Sequence, residues 1–359
     1  MAAHPIPAQG TVDSRPVLLC GYYGEHNLGD DALLEALLSQ LPADATPLVT
    51  AHDETQVQAR FGVATVPRRR LQAVLAALGR SRALVLGGGS LLQDSTSFRS
   101  LLYYGALISA ARMQGKPVLL WAQGLGPLRR RRSRLLVRAL LPAATAISWR
   151  DPESAALAAR LGCRASHGAD AVWALPRQSW IGGGGPIVVC WRPTPLLVGE
   201  AWRPYLQALE QLAEQQNREV LWLPFHREQD RGLLEQLAAA GLLSEGLRRR
   251  SHEREALLPR EATALFRSAG LVLAMRLHAL ILAGLAGAPL AALSYDPKVR
   301  AAAAAIGCGC VDLDERGVSA TALLDSWAAA LDRPPASAAI AALQESTAVH
   351  RALLEHLTP

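Results

Sequence analysis

The chain has 359 residues and a formal net charge of +6, from 37 Lys and Arg against 31 Asp and Glu; half of it is hydrophobic and 19% is charged. That length suits two domains, and that composition excludes a disordered or fibrous chain. The mild positive balance suits an anionic substrate or an acidic surface without requiring either.

Residues 1–14 carry Pro, Gly and Ala with no Arg or Lys ahead of an apolar core, so they read as a flexible N-terminus rather than a signal peptide. Strands are then predicted over 17–20, 47–50, 83–86, 118–122 and 146–149, with helices over 31–40, 101–113 and 153–161. Strands alternating with helices imply βαβ units and a parallel sheet. Residues 181–186 contain four consecutive glycines and a proline and read as a linker. Beyond them the alternation restarts, with strands over 187–190, 220–223, 271–275 and 290–294 and helices over 204–216, 230–240, 261–267 and 277–287. The Ala-rich tail, 338–357, has helical periodicity and is expected to pack back onto the body. The expected organisation is a doubly wound half over 15–180, the linker 181–186, a second half over 187–335 with a cleft between the halves, and the tail 336–359.

The apolar run 270–293 would be flagged by a hydropathy scan as a membrane span. Arg276 and His278 near its start, and Gly284, Gly287 and Pro289 within it, argue for strand–helix–strand instead. A cytoplasmic protein is the expectation. The five cysteines, Cys20, Cys163, Cys190, Cys308 and Cys310, are odd in number and sparse, which fits a reducing compartment and not a disulfide framework. Cys308-Gly309-Cys310 has no second Cys or His pair at zinc spacing, so no metal site is expected.

A charged guanidinium in an apolar run is costly unless something pairs with it. Arg276 and His278 fall at the carboxyl end of a strand and on the first turn of a helix, where open α/β sheets collect ligands and helix N-termini favour anions. They read as an anion site with a titratable group beside it. Four further constellations fall at strand ends. Gly21 to Asp31 follows a strand and opens a helix, but its spacing is wrong for a dinucleotide fingerprint or a P-loop. Asp30 and Asp31 would repel a phosphate there. The loop, with Asn27, Gly29 and Asp30, suits sugar hydroxyls or a base; equally, Asp30 is only an N-cap. Gly87-Gly88-Gly89 with Gln93 and Asp94 either lets a sugar approach the backbone or is a tight turn. Arg150 suits a carboxylate or phosphate, or pairs with Asp151 or Glu153. Arg192 and His226 follow strands of the second half and reach the same rim as Arg276. The basic runs 68–70, 129–134 and 248–250 are accounted for as solvated helix faces or loops, and 129–134 also suits an anionic lipid or polymer. No aromatic interleaving supports nucleic-acid binding.

Taken in order, Gly21-Tyr22-Tyr23-Gly24, Asn27-Leu28-Gly29-Asp30-Asp31-Ala32, Gly87 to Asp94, Ala122 to Pro127, Ser148-Trp149-Arg150-Asp151, Arg276-Leu277-His278-Ala279 and Tyr295 to Val299 resemble the polysaccharide pyruvyl transferases, and most closely the cell-wall members. The resemblance runs from about Val17 to about Cys310. It implies a glycosyltransferase-B-like fold, two Rossmann-like domains facing across a cleft. It also implies an enzyme that transfers the enolpyruvyl unit of phosphoenolpyruvate to a sugar or lipid-linked polysaccharide, giving a pyruvate ketal and phosphate. The essential groups it implies are Arg150, Arg276, His278 and Lys298, with Arg192 a further donor-binding residue, phosphoenolpyruvate as donor substrate and no other cofactor. His278 suits protonation of the methylene carbon because an imidazole titrates near neutral pH. Two competing readings use the same architecture: a nucleotide-sugar glycosyltransferase, for which Glu261 is the one nameable ribose carboxylate, and a non-catalytic sugar-binding protein. Peripheral contact with the inner membrane surface is a further expectation.

Overall fold

The computed structural model describes residues 14–95, 97–314 and 317–358. Apart from Ser14, the flexible stretch expected at 1–14 lies outside the described residues. Among the described residues, twelve strands form two parallel six-stranded sheets. The first sheet contains β1 (Val17–Tyr23), β2 (Pro47–Ala51), β3 (Ala64–Pro67), β4 (Ala83–Gly87), β5 (Val118–Gln123) and β6 (Ala146–Trp149), in the spatial order β3-β2-β1-β4-β5-β6. The second contains β7 (Ile187–Cys190), β8 (Val220–Trp222), β9 (Ser251–Glu253), β10 (Leu271–Ala274), β11 (Leu290–Ser294) and β12 (Gly309–Asp312), in the order β12-β11-β10-β7-β8-β9. Both have the strand order of a Rossmann sheet, which reverses between β1 and β4 in one and between β7 and β10 in the other. The expected α/β architecture of two Rossmann-like domains is what the chain forms.

The central strands β4, β5, β7, β10 and β11 are buried along their whole length, which is why they read as continuous apolar runs. Each sheet has its own core. One gathers Leu18, Leu84, Leu86, Leu120 and Trp149 with apolar faces of the helices Phe98–Met113 and Arg131–Leu140. The other gathers Ile187, Val189, Leu273 and Leu293 with a tryptophan cluster. In that cluster the ring of Trp191 lies 5.9 Å from Trp202, 5.5 Å from Trp222 and 6.2 Å from Trp327, centroid to centroid.

By contacts, the chain divides into two compact units. The first holds the described residues up to Tyr22, Leu38–His167 and those from Val349 on; the second holds Tyr23–Leu37 and Gly168–Ala348. The glycines of 182–185 form a turn of the second unit, closed by the Gly185 amide on the Gly182 carbonyl (2.8 Å) and lying against the Ser268 and Ala269 backbone. The tail is two helices, Ser337–Ser346 and Ala348–Leu354, where one was expected. The helix expected over 230–240 is also broken, into Arg227–Asp230 and Leu233–Ala239, because Gly232 takes a left-handed conformation between them (φ 74°). Residues 270–293 form β10, the helix Leu277–Leu285 and most of β11. No helix among the described residues is long and apolar enough to cross a membrane.

Trp327 is fully buried on the helix Ala320–Ala330, against Trp191. Trp327→Ala should cost about 3–5 kcal/mol of stability, read as a lower urea midpoint by tryptophan fluorescence. A midpoint unchanged within error would mean that this cluster does not anchor the second core.

Candidate functional site

Arg276 follows β10 and precedes the helix Leu277–Leu285. Its partner is Asp230, whose side chain is 0% exposed, while that of Arg276 is 14% exposed. Arg276 Nε donates to Asp230 Oδ2 at 3.0 Å, and Nη2 donates to Asp230 Oδ1 and to Gln229 Oε1. Asp230 Oδ2 also accepts the backbone N–H of Phe225 (3.1 Å) and of His226 (2.8 Å). One buried carboxylate therefore collects a two-pronged guanidinium and two amides, the arrangement that makes such a burial tolerable. Among the described residues these bonds use Nε and Nη2 of Arg276.

That carboxylate also shapes the loop after β8. The loop pairs with the segment before the helix Leu28–Gln40: Leu28 N donates to Phe225 O and Arg227 N donates to His26 O, each at 2.9 Å. Asn27 then caps the helix, its Oδ1 accepting from Gly29 N at 3.0 Å and its Nδ2 donating to Asp30 Oδ2 at 2.6 Å. Asp30 is thus a first-turn residue held by Asn27, and not the cap. Gly29 faces the imidazole of His278, and a Cβ there would collide with its Nδ1 and Cγ. Only glycine lets the helix approach that closely. His278 Nε2 is buried without a hydrogen-bond partner and lies 3.6 Å from Oδ2 of Asp170. The other oxygen of Asp170 accepts the Val172 amide.

Three more cationic or titratable groups lie on this unit's carboxyl strand edge. Arg192, after β7, stacks over the Tyr295 ring (5.0 Å to its centroid) and donates from Nη1 to the Tyr295 hydroxyl at 3.2 Å. Lys298 lies in the first turn of the helix Pro297–Ile306, whose cap is Asp296. His226 has a buried Nδ1 with no hydrogen-bond partner. Burial, and next the Arg276 charge, hold its pKa below the ordinary 6.5, with Asp230 and Glu228 opposing.

In the first unit Arg150 is 6% exposed, donating to Ser90 Oγ (2.9 Å) and lying 3.4 Å from Asp151 Oδ2. The expected pairing with Asp151 is therefore present. Gly88 and Gly89 make a left-handed turn after β4 (φ 67° and 70°), and the buried Gln123 amide donates to Gly88 O at 2.9 Å. Gln93 Oε1 accepts from Ser95 N at 2.6 Å. Asp94 is buried, with its oxygens on the Arg129 and Arg130 amides at 2.8 and 2.9 Å. Burial raises its pKa, and those hydrogen bonds outweigh it and lower the pKa overall.

The second unit thus brings together Asn27, Gly29, Asp30, Arg192, His226, Arg276, His278 and Lys298. Gly88, Gly89, Gln93, Asp94 and Arg150 belong to the first unit. Asp230, Asp170 and Tyr295 were not among the expected site residues. Arg276 demanded a buried partner, but Glu228, Asp230 and Asp296 were equally eligible by sequence; Asp170 carried no signal.

A family model described as polysaccharide pyruvyl transferase matches residues 27–297. No curated protein sequence matches the chain. Among solved structures the chain is similar to the UDP-GlcNAc 2-epimerase of Methanocaldococcus jannaschii, with TM-score 0.62, 10% identity and coverage of 94% of this chain and 98% of that one. It is similar to the UDP-N-acetylglucosamine 2-epimerase of Rickettsia bellii, with TM-score 0.58, 9% identity and 96% of each chain covered. It is also similar to HepE of Anabaena in complex with UDP and glucose, with TM-score 0.56, 12% identity and 95% of each chain covered. At these identities the likeness is one of fold.

Two outcomes follow. Asp230→Ala should destabilise the protein by about 3–5 kcal/mol, because it strands the Arg276 charge; a much smaller loss of urea midpoint would mean that water already reaches the pair. His226 binds a proton more readily unfolded than folded, so it costs stability as pH falls below about 6.5. His226→Asn should lessen the stability difference between about pH 7 and pH 5, and an unchanged difference would remove His226 as its source.

Proposed function

The chain belongs to the polysaccharide pyruvyl transferase family, and on that premise we propose that it transfers the pyruvyl unit of phosphoenolpyruvate to two hydroxyls of a cell-wall or exopolysaccharide sugar, forming a ketal and releasing phosphate. The observation that carries this reading is His278. It is a half-buried imidazole with one nitrogen 3.6 Å from a carboxylate and no hydrogen-bond partner on it, on the same strand edge as Arg276, Arg192 and Lys298.

The chemistry asks for those groups. The donor carries a carboxylate and a phosphate, which Arg276, Lys298 and Arg192 would neutralise, with Arg150 the further cation for substrate binding. His278 would give its proton to the methylene carbon, leaving an oxocarbenium-like centre at C2, with Asp170 stabilising the imidazolium that donates it. A sugar hydroxyl attacks C2 and its proton returns to the imidazole. The C2–O bond to phosphate breaks, and the second hydroxyl closes the ketal while its proton leaves with the phosphate. Asp30, held by Asn27, is the proposed aid to a hydroxyl. Gly29, Gly88, Gly89, Gln93, Asp94 and His226 would line or shape the substrate sites. Of these, Gln93 and Asp94 would act by holding the loop, since their oxygens accept local backbone N–H groups. Fixed cations facing a charge that builds at C2 and on the leaving phosphate supply the electrostatic part of the catalysis.

Within the family the motifs resemble those of the cell-wall pyruvyl transferase CsaB. The reading therefore includes a lipid-linked or polymeric acceptor on the cytoplasmic side, at or near the inner membrane surface. The second reading, a nucleotide-sugar glycosyltransferase, draws on relatives named for UDP and UDP-GlcNAc. Against it, the Glu261 carboxylate that would serve a ribose accepts the Leu257 amide at 2.8 Å.

Purified protein with phosphoenolpyruvate and a panel of sugar acceptors should release phosphate only when a suitable acceptor is present. His278→Ala should lower that rate by about 100-fold or more. Thermal stabilisation by a uridine diphosphate sugar with no response to phosphoenolpyruvate would sink the pyruvyl reading in favour of the second.

A further inference from the structure

Between Asp94 and Asp151 the chain contains nine Arg and one Lys and no Asp or Glu. Since the net charge of the whole chain is only +6, the rest of it is net acidic. Six of those arginines lie in or just before the helix Arg131–Leu140: Arg129, Arg130, Arg131, Arg132, Arg134 and Arg138.

This placement is poor for a helix in water. Arg130 is the N-cap residue and makes no side-chain cap, and Arg131 and Arg132 follow at the positive end of the helix dipole. Arg130, Arg134 and Arg138 repeat at four-residue spacing, which sets like charges beside one another. The backbone is nevertheless held firmly, because the buried Asp94 carboxylate accepts the amides of Arg129 and Arg130 at 2.8 and 2.9 Å. An array of like charges mounted on a fixed backbone is relieved by an anionic partner.

Its apolar residues say which kind. Leu135, on the helix's outer face, is 67% exposed. The neighbouring helix Phe98–Met113 runs alongside in the same direction. Arg132 stacks over Phe98 (4.1 Å) at the two starts, and a Cβ on Gly105 would lie 3.0 Å from Leu140 further along. Leu102, one turn into that helix and 48% exposed, therefore stands at about the level of Leu135. Exposed leucines among arginines suit an acyl and headgroup boundary. A soluble polyanion or a nucleic acid would use the charges and leave the leucines idle.

We propose that this face, centred on the helix Arg131–Leu140, docks the protein on the surface of an anionic lipid bilayer. The arginines contact the headgroups, and Leu135 and Leu102 enter the boundary below them. The docking does not depend on which donor the protein uses. Sedimentation of the purified full chain with vesicles tests it directly. At low salt the protein should pellet with vesicles of phosphatidylglycerol and phosphatidylcholine and stay in solution with phosphatidylcholine alone. The combined variant Arg129→Gln, Arg131→Gln and Arg138→Gln removes three exposed charges of this face. It should bind the anionic vesicles at least about 100-fold more weakly and melt no lower than the parent. Leu135→Ser should weaken vesicle binding several-fold while leaving binding to dextran sulfate unchanged. Failure to pellet with the anionic vesicles overturns the proposal. So does vesicle binding that Leu135→Ser leaves intact while dextran sulfate competes it away, since the partner would then be a soluble polyanion.

Discussion

The second unit's site depends on a single buried carboxylate. Asp230 takes two donors from Arg276 and two from the backbone at Phe225 and His226. A buried pair of this kind contributes little net stability relative to an apolar replacement, because desolvation offsets the attraction. What it supplies is direction. With Nε and Nη2 committed, the guanidinium plane cannot turn. With its amides committed, the loop after β8 holds the backbone that pairs with residues 26–28. That pairing sets where the helix Leu28–Gln40 begins, and hence where Gly29 meets the His278 ring. Asn27 and Gly29 lie far in sequence from Arg276 and His278, and one network holds the two segments.

The same network explains how cations can crowd a strand edge. Arg192, Arg276 and Lys298 would repel one another without counter-charge. Asp230 neutralises Arg276, Tyr295 takes up Arg192 through its ring and hydroxyl, and Asp296 caps the helix that carries Lys298. The charge that remains is felt at His226, whose pKa is held low by burial first and by Arg276 next. A neutral imidazole beside fixed guanidiniums can donate or accept a hydrogen bond without adding to the positive charge. The strand edge thereby limits its own repulsion.

Most of the sheet framework was legible in the sequence because parallel strands buried on both faces are continuous apolar runs. The strands that were not legible lie at the sheet edges. β3, β9 and β12 are three or four residues long and largely unburied, so they show neither an apolar run nor a clean alternation. Arg276 and His278 stood out for the reason that makes them costly, polar groups inside an apolar segment. Their partners did not, since Asp230 ends the short helix Arg227–Asp230 and Asp170 caps the turn Ala171–Ala174, and only the fold brings them near. Gln93 and Asp94 show the converse. Residues that suited sugar hydroxyls by type and position spend their oxygens on neighbouring backbone amides, an outcome that composition cannot distinguish from ligand binding.

The arginines fall into two physically different populations. Arg150 and Arg276 are 6% and 14% exposed and lie beside carboxylates, so bulk salt screens them weakly and their task is geometric. Those of the helix Arg131–Leu140 are exposed, and Arg131 and Arg132 sit at the wrong end of its dipole, where solution ions screen them within about 10 Å. Salt therefore separates the two roles. Attraction of the whole molecule to an anionic surface should fade as ionic strength rises, while the orientation of groups around His278 should not. The stretch between Asp94 and Asp151 carries ten basic residues and no acidic one, and the remainder is net acidic, so the charge is unevenly distributed along the chain. If the proposed docking holds, such an asymmetry would steer the first unit toward a negative surface before any close contact forms.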